Sequence, residues 1–175
     1  INQIRGSLPD PIGGVMWISF DRPYNTCFMP IYAGVKDLPR AMQYGSPQKY
    51  DESFIFWPFN LVSNWISLCQ QTALPDVIAK QKELGQNAFL LQQQIDQKAL
   101  TLYKEHPEQV SQMLTDFCQG NVQDVSKKWW ELTHFLMEKY NAGFINKPKP
   151  CTKMGSPEKW RDSVGYKQGP ITYRK

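Results

Sequence analysis

At 175 residues, with 41% hydrophobic and 13% aromatic content, the chain can bury one core and is too apolar to be disordered. No apolar run approaches the roughly 18 residues of a membrane-spanning helix, and Ile1–Arg5 lacks the basic stretch and following apolar segment of a signal peptide. The net charge of +4 is uneven: Lys147–Lys175 carries eight basic side chains against Glu158 and Asp162, so this segment is +6 and residues 1–146 sum to −2.

Residues 1–13 read as a leading segment, with Leu8-Pro9-Asp10-Pro11-Ile12-Gly13-Gly14 as turn-forming punctuation and the glycine pair as a flexible start to a strand. Gly13–Gly34 then predicts a β-hairpin. Its arms, Val15–Phe20 and Cys27–Ala33, are apolar at nearly every position, the pattern of strands covered on both faces. Asp21–Asn25 forms its loop, with Pro23 fixing a turn dihedral. Pro30 predicts a bulge or a limit to pairing. Two strands do not make a stable sheet, and no other segment reads as a strand. The hairpin is therefore expected to belong to a larger sheet whose other strands lie outside this sequence.

After a loop through Gly34, Pro39, Gly45 and Pro47, helices take over. The first is expected from Asp51–Ser53, with Phe54, Trp57, Leu61, Trp65 and Leu68 on one face and Pro58 within its first turns. Pro75 restarts a long helix burying Leu84, Ala88, Leu91, Ile95, Ala99 and Leu102, its polar face including Lys80, Gln86, Gln93, Gln97 and Lys104. The run Gln92-Gln93-Gln94 is placed on the exposed side. His106-Pro107-Glu108 marks a break and a new start, with Val110, Met113, Leu114 and Phe117 following and Gly120 as the terminating residue. A last helix is expected from Asn121 to Tyr140, burying Val122, Val125, Trp129, Leu132 and Leu136, with Asn141-Ala142-Gly143 ending it. The basic tail reads as extended and solvated, with a short turn at Ser156–Asp162. Its charges lie on no single helix face, so nucleic acid is not expected as a partner.

The fold class is thus α+β and mostly helical: an N-terminal antiparallel hairpin followed by about four helices. Residues 1–50 (hairpin and loops), 51–146 (helical body) and 147–175 (tail) are expected to form one structural unit, an incomplete domain.

The residues present no convincing active site. His106 sits at a helix boundary, where capping or solvation is the default role. His134 borders an apolar stripe, and its spacing to Glu138 is too little for a metal site. Asp51-Glu52 most simply complements the dipole of the helix that follows. Phe54-Ile55-Phe56-Trp57 and Trp129-Trp130 read as core packing rather than a ligand pocket. Cys27, Cys69, Cys118 and Cys151 show no CxxC or zinc spacing and read as structural thiols, although their even number leaves a disulfide open. No GxSxG, phosphate-binding loop or GxGxxG occurs. No residue is assigned a catalytic, cofactor-binding or metal-binding role, and no cofactor is expected.

One string is distinctive: Leu8-Pro-Asp-Pro-Ile-Gly-Gly-Val-Met-Trp-Ile-Ser-Phe-Asp21, then Thr26-Cys-Phe-Met-Pro-Ile-Tyr-Ala-Gly34, with Asp37-Leu38-Pro39 and Tyr50-Asp51-Glu52-Ser53 before an aromatic helix. It resembles the C-terminal part of bacterial cysteine dipeptidases of the dipeptidase A type, through roughly residues 4–72 and more loosely to the Trp160–Gly165 tail. The resemblance implies an N-terminal-nucleophile hydrolase: an αββα sandwich and an autoprocessed precursor. In that family the newly exposed N-terminal cysteine attacks the peptide carbonyl, with its own α-amino group, of ordinary pKa near ~8, as base. This chain departs from the pattern. It begins with Ile1, and its first cysteine, Cys27, lies within a predicted strand, so no residue is matched to the nucleophile. The expectation is a C-terminal scaffold portion of a dipeptidase, inactive alone, with the upstream portion of the same protein and a dipeptide as partners. Homo-oligomerisation and the compartment, cytoplasmic or exported, stay open. The alternatives are a portion of a related amidase acting on non-peptide amides, or a non-catalytic helical binding module.

Overall fold

A computed structural model describes residues 1–154 and 158–163. In it the leading segment forms a strand of its own. The strand β1 (Asn2–Ile4) pairs antiparallel with β2 (Gly14–Ile18), which pairs antiparallel with β3 (Met29–Tyr32), giving the order β1-β2-β3. The hairpin is as expected, but the reading that no other segment is a strand is corrected. β1 has too few residues to show a periodicity. Its evidence is its partner: the Trp17 N–H donates to the Ile1 carbonyl at 2.7 Å, and the Ile1 nitrogen donates to the Trp17 carbonyl at 3.0 Å. The expected turn before β2 is a short helix, α1 (Asp10–Gly13).

Pro30 neither bulges nor shortens the ladder, because it pairs with Trp17. The polar backbone groups of Trp17 face β1, so Trp17–Pro30 is a non-hydrogen-bonded pair of the β2–β3 ladder. The missing N–H of Pro30 therefore lies on the outer side of β3 and costs no ladder bond. That side is covered: the Cys118 thiol lies 3.7 Å from the Pro30 carbonyl, and the Lys36 N–H donates to Thr115 Oγ1 at 2.9 Å.

Coverage of both faces holds for β3, all of whose residues are buried, but not for β2. There Val15 and Trp17 are buried while Met16 is 50% exposed. An apolar run reports a strand without telling which of its faces another layer covers.

The short α2 (Arg40–Gln43) precedes α3 (Phe56–Leu68). Residues 51–53 are a turn ahead of α3, closed by Asp51 Oδ1, which accepts from the Ser53 N–H at 2.9 Å and its hydroxyl at 2.7 Å. Asp51 therefore stabilises a local turn rather than the helix dipole. Pro58 falls in the first turn of α3, where its missing N–H is harmless. The buried face of α3 includes Phe59, Val62, Ser63 and Ile66, not the expected stripe through Phe54, Trp57, Leu61, Trp65 and Leu68. The helix is apolar nearly all round, so spacing alone could not select its inner face.

The break after α3 falls at Cys69 rather than Pro75. α4 (Gln70–Glu105) runs through Pro75, with Ala73 and Val77 buried on either side of it. Gln92, expected outside, is buried and donates through Nε2 to Gln3 Oε1 at 2.8 Å, while Leu91, expected inside, is 37% exposed. α5 (Pro107–Lys139) likewise runs through Gly120 without a break. A helical glycine costs about 1 kcal/mol relative to alanine. The continuous buried stripe Val110, Leu114, Cys118, Val122, Val125, Trp129, Leu132 and Leu136 outweighs that cost. A Cβ at residue 120 would meet nothing within 4 Å. Gly120→Ala is accordingly expected to raise the unfolding free energy by about 0.5–1 kcal/mol, read from the urea midpoint at unchanged slope.

α4 and α5 pack as a helical hairpin, with α3 against α5 and the sheet against both long helices. Mostly helical α+β is therefore the architecture, with the expected four-helix body drawn as α3 and the two long helices α4 and α5. After α5, β4 (Tyr140–Asn141), β5 (Phe144–Ile145) and β6 (Thr152–Lys153) form a second small antiparallel sheet, again absent from the sequence reading. In place of the turn expected at Ser156–Asp162, residues Glu158–Ser163 form a helix, α6, and Ser156 lies outside the described residues. No helix among the described residues is long and apolar enough to cross a membrane.

Candidate functional site

The residues weighed for chemistry do not converge. His106 joins α4 to α5, is exposed, and faces Glu108 at 3.6 Å. His134 is exposed beside the Trp130 ring, and Glu138 is drawn to Lys147 at 2.5 Å. That contact holds the Glu138 carboxyl below its ordinary range. Glu52 accepts from the Tyr50 hydroxyl at 3.2 Å. Among the described residues, no group of three or more His, Cys, Asp or Glu could hold a metal ion.

The aromatic residues divide. Trp129 is core, stacked on Phe59 at 4.6 Å. Trp57 and Trp130 instead flank Tyr50 and donate their indole N–H groups to the carbonyls of Lys49 (3.1 Å) and Glu52 (3.2 Å), pinning the loop before α3.

All four cysteines are free. Cys27 lies just ahead of β3 rather than within a strand, and burial pushes its thiol up to about 12. Cys118 is raised by burial to about 11. Thiolate is the reactive form, so neither is poised as a nucleophile. In the folded protein a disulfide-exchange reagent is expected to modify exposed Cys151 rapidly and the other three thiols only after denaturant is added. Fast labelling of Cys27 under native conditions would contradict this placement.

Two features remain at the free end of the sheet. The first is the outer edge of β1. Ile1 and Gln3 bond toward β2, so the backbone N–H and C=O groups of Asn2 and Ile4 point away from it, with no strand beyond among the described residues. Ile4 is 87% exposed and shares one sheet face with exposed Met16. The second is a cavity of about 400 Å3 between the sheet and α4. Trp17, Cys27 and Phe28 line it from the sheet side, and Gly85 and Phe89 from α4. The sequence reading singled out none of these as ligand-facing, and it assigned Cys27 to a buried strand. The available signal was Gly85, a glycine within a strong helical pattern, followed one turn later by Phe89 off the buried stripe.

Residues 1–83 match the family model of Peptidase family C69. No curated protein and no solved structure matches the chain. The matched segment holds the three-stranded sheet, α3 and the first turns of α4, including part of the cavity wall. Through these residues the chain is similar to Peptidase family C69.

Proposed function

We propose that the chain is the C-terminal scaffold portion of a cysteine-type dipeptidase whose nucleophile is a processed N-terminal cysteine on a segment preceding Ile1. The match of residues 1–83 to a peptidase family carries this reading. Two observations support it. Cys27, Cys69 and Cys118 are buried, their thiols raised by desolvation, which is the wrong environment for a nucleophile. The open edge of β1 and the apolar Ile4–Met16 face suit further strands and a second sheet layer, as an αββα sandwich requires. In this reading the upstream thiol attacks the dipeptide carbonyl carbon, its α-amino group takes the thiol proton and passes it to the leaving amine, and water hydrolyses the thioester. The chain supplies the sheet and helices that hold these groups in place.

The test measures free amino-acid release from a panel of dipeptides. The 175-residue chain alone is expected to release none, and the chain produced with its upstream segment is expected to hydrolyse them. Turnover by the chain alone overturns the scaffold assignment. Turnover of acylated non-peptide amides in place of dipeptides assigns the protein to the amidase alternative.

A further inference from the structure

The cavity between the sheet and α4 has no side chain at one position of its helical wall. Gly85 contributes no side chain to it, and a Cβ there would meet nothing within 4 Å. A helix-interior glycine costs about 1 kcal/mol relative to alanine, and the packing around it gains nothing from the missing methyl. Phe89, one turn on, is 60% exposed, yet its ring lies 5.0 Å from that of Trp17 and forms a wall with it. Thr26, which also lines the cavity, is fully buried, with a hydroxyl that finds no hydrogen-bond partner among the described residues. Such an orphan is costly and calls for an explanation.

The lining also restricts the ligand. It contains no charged side chain, and its one charged group is the Ile1 α-ammonium, which donates to the Trp17 carbonyl at 3.0 Å, so a cationic headgroup entering it would lose hydration without compensation. Its polar side chains are neutral: the primary amides of Gln3 and Gln81, and the buried hydroxyl of Thr26. Gln3 is held in place, because its Oε1 accepts both from Trp17 Nε1 at 3.1 Å and from Gln92 Nε2 at 2.8 Å. That leaves its NH2 group as the donor. Amides of this kind complement a peptide unit, which offers one donor and one acceptor. A dry cavity of about 150 Å3 accepts a benzene ring. A volume of about 400 Å3 therefore holds an aromatic or branched aliphatic side chain with part of its backbone.

We propose that this cavity binds a peptide through one uncharged apolar side chain, the ring or branch lying against Trp17, Phe28 and Phe89 and the adjoining peptide group meeting the amides of Gln3 and Gln81. That the ligand is a peptide rests on the peptidase reading above. The cavity and its preference for an apolar group rest on geometry alone.

The experiment follows the indole N–H signal of Trp17 by NMR as neutral, non-hydrolysable probes are added to the whole chain. N-acetyl-phenylalanine amide is expected to shift it saturably, and N-acetyl-alanine amide to bind about tenfold more weakly or less, from the lost burial of the ring. Gly85→Leu fills the space and should weaken the phenylalanine probe about tenfold or more, while Gly85→Ala should leave it nearly unchanged. If Gly85→Leu does not fold, Phe89→Ala removes one exposed wall and should weaken the same probe by about fivefold. Equal binding of the two probes, no binding of either, or binding unaffected by these substitutions overturns the site. Tighter binding of 3-phenylpropionate than of the phenylalanine amide overturns the peptide assignment in favour of a carboxylate ligand. Because no readout is hydrolysis, failure of the dipeptidase reading and failure of the cavity proposal are separately visible.

Discussion

Trp129→Ala is expected to lower the unfolding free energy by about 4 kcal/mol, among the largest effects of any single side chain here. Trp129 is completely buried, lies on the inner stripe of α5, and stacks nearly parallel on Phe59 of α3. Truncation removes the transfer free energy of the largest side chain and leaves a hole where two helices meet, so the neighbours lose dispersion contacts that backbone movement cannot restore. One detail separates the indole from its volume. Trp129 Nε1 is buried without a hydrogen-bond partner among the described residues, a deficit worth about 1–3 kcal/mol. Trp129→Phe keeps the stack and discards that unpaired donor, so it should cost no more than about half as much as the alanine variant. Urea unfolding followed by far-ultraviolet circular dichroism checks both. Equal losses for alanine and phenylalanine would show that the orphan N–H carries no penalty.

The stripe around Trp129 was legible in the sequence because a helix with one wet face repeats its apolar residues on a single period. Val122 through Leu136 shows that period plainly. Where the period was absent or doubled, the sequence could not decide. α3 has apolar residues in two registers, and only docking against α5 chooses Phe59, Val62 and Ile66 over Trp57, Leu61 and Trp65. Pro75 and Gly120 are real local penalties, of about 3 and about 1 kcal/mol, but each is a single cost against a long buried face. β1 and the strands β4–β6 are too short to carry a pattern and exist through their partners. The distinctive hairpin residues located the related family, yet the cavity beside them depends on Gly85 and Phe89, far away in sequence. Its walls meet only once α4 is laid across the sheet.

That crossing depends on one carboxylate. Asp96→Ala is expected to destabilise the chain by about 3 kcal/mol, the range for removing one partner from a largely buried ion pair. From α4, Asp96 Oδ2 pairs with Arg5 Nη1, and Oδ1 accepts from the Tyr32 hydroxyl at 2.8 Å. Arg5 Nη2 also donates to the Ile12 carbonyl at 2.6 Å, so one side chain of α4 fastens the β1–α1 connection and the end of β3 together. Burial first, and the adjacent carboxylate second, push the Tyr32 phenol well above its ordinary range, so it stays a neutral donor. Without Asp96 the guanidinium is left partly desolvated and unpaired, and Tyr32 keeps the distant Gln92 carbonyl at 3.4 Å. Asp96→Asn preserves an acceptor for Tyr32 and should recover part of the loss. Tyr32→Phe leaves the ion pair intact and should cost only about 1 kcal/mol. The order alanine, then asparagine, then Tyr32→Phe, measured by urea unfolding, identifies the charge pair as the dominant contribution. An equal cost for all three would place the energy in the hydroxyl contact instead. Hydrogen exchange adds a local readout: in Asp96→Ala the inward amides of β1 should lose protection before those of β3, because β1 has no outer strand among the described residues and depends on Arg5 and Gln3 for its hold on α4.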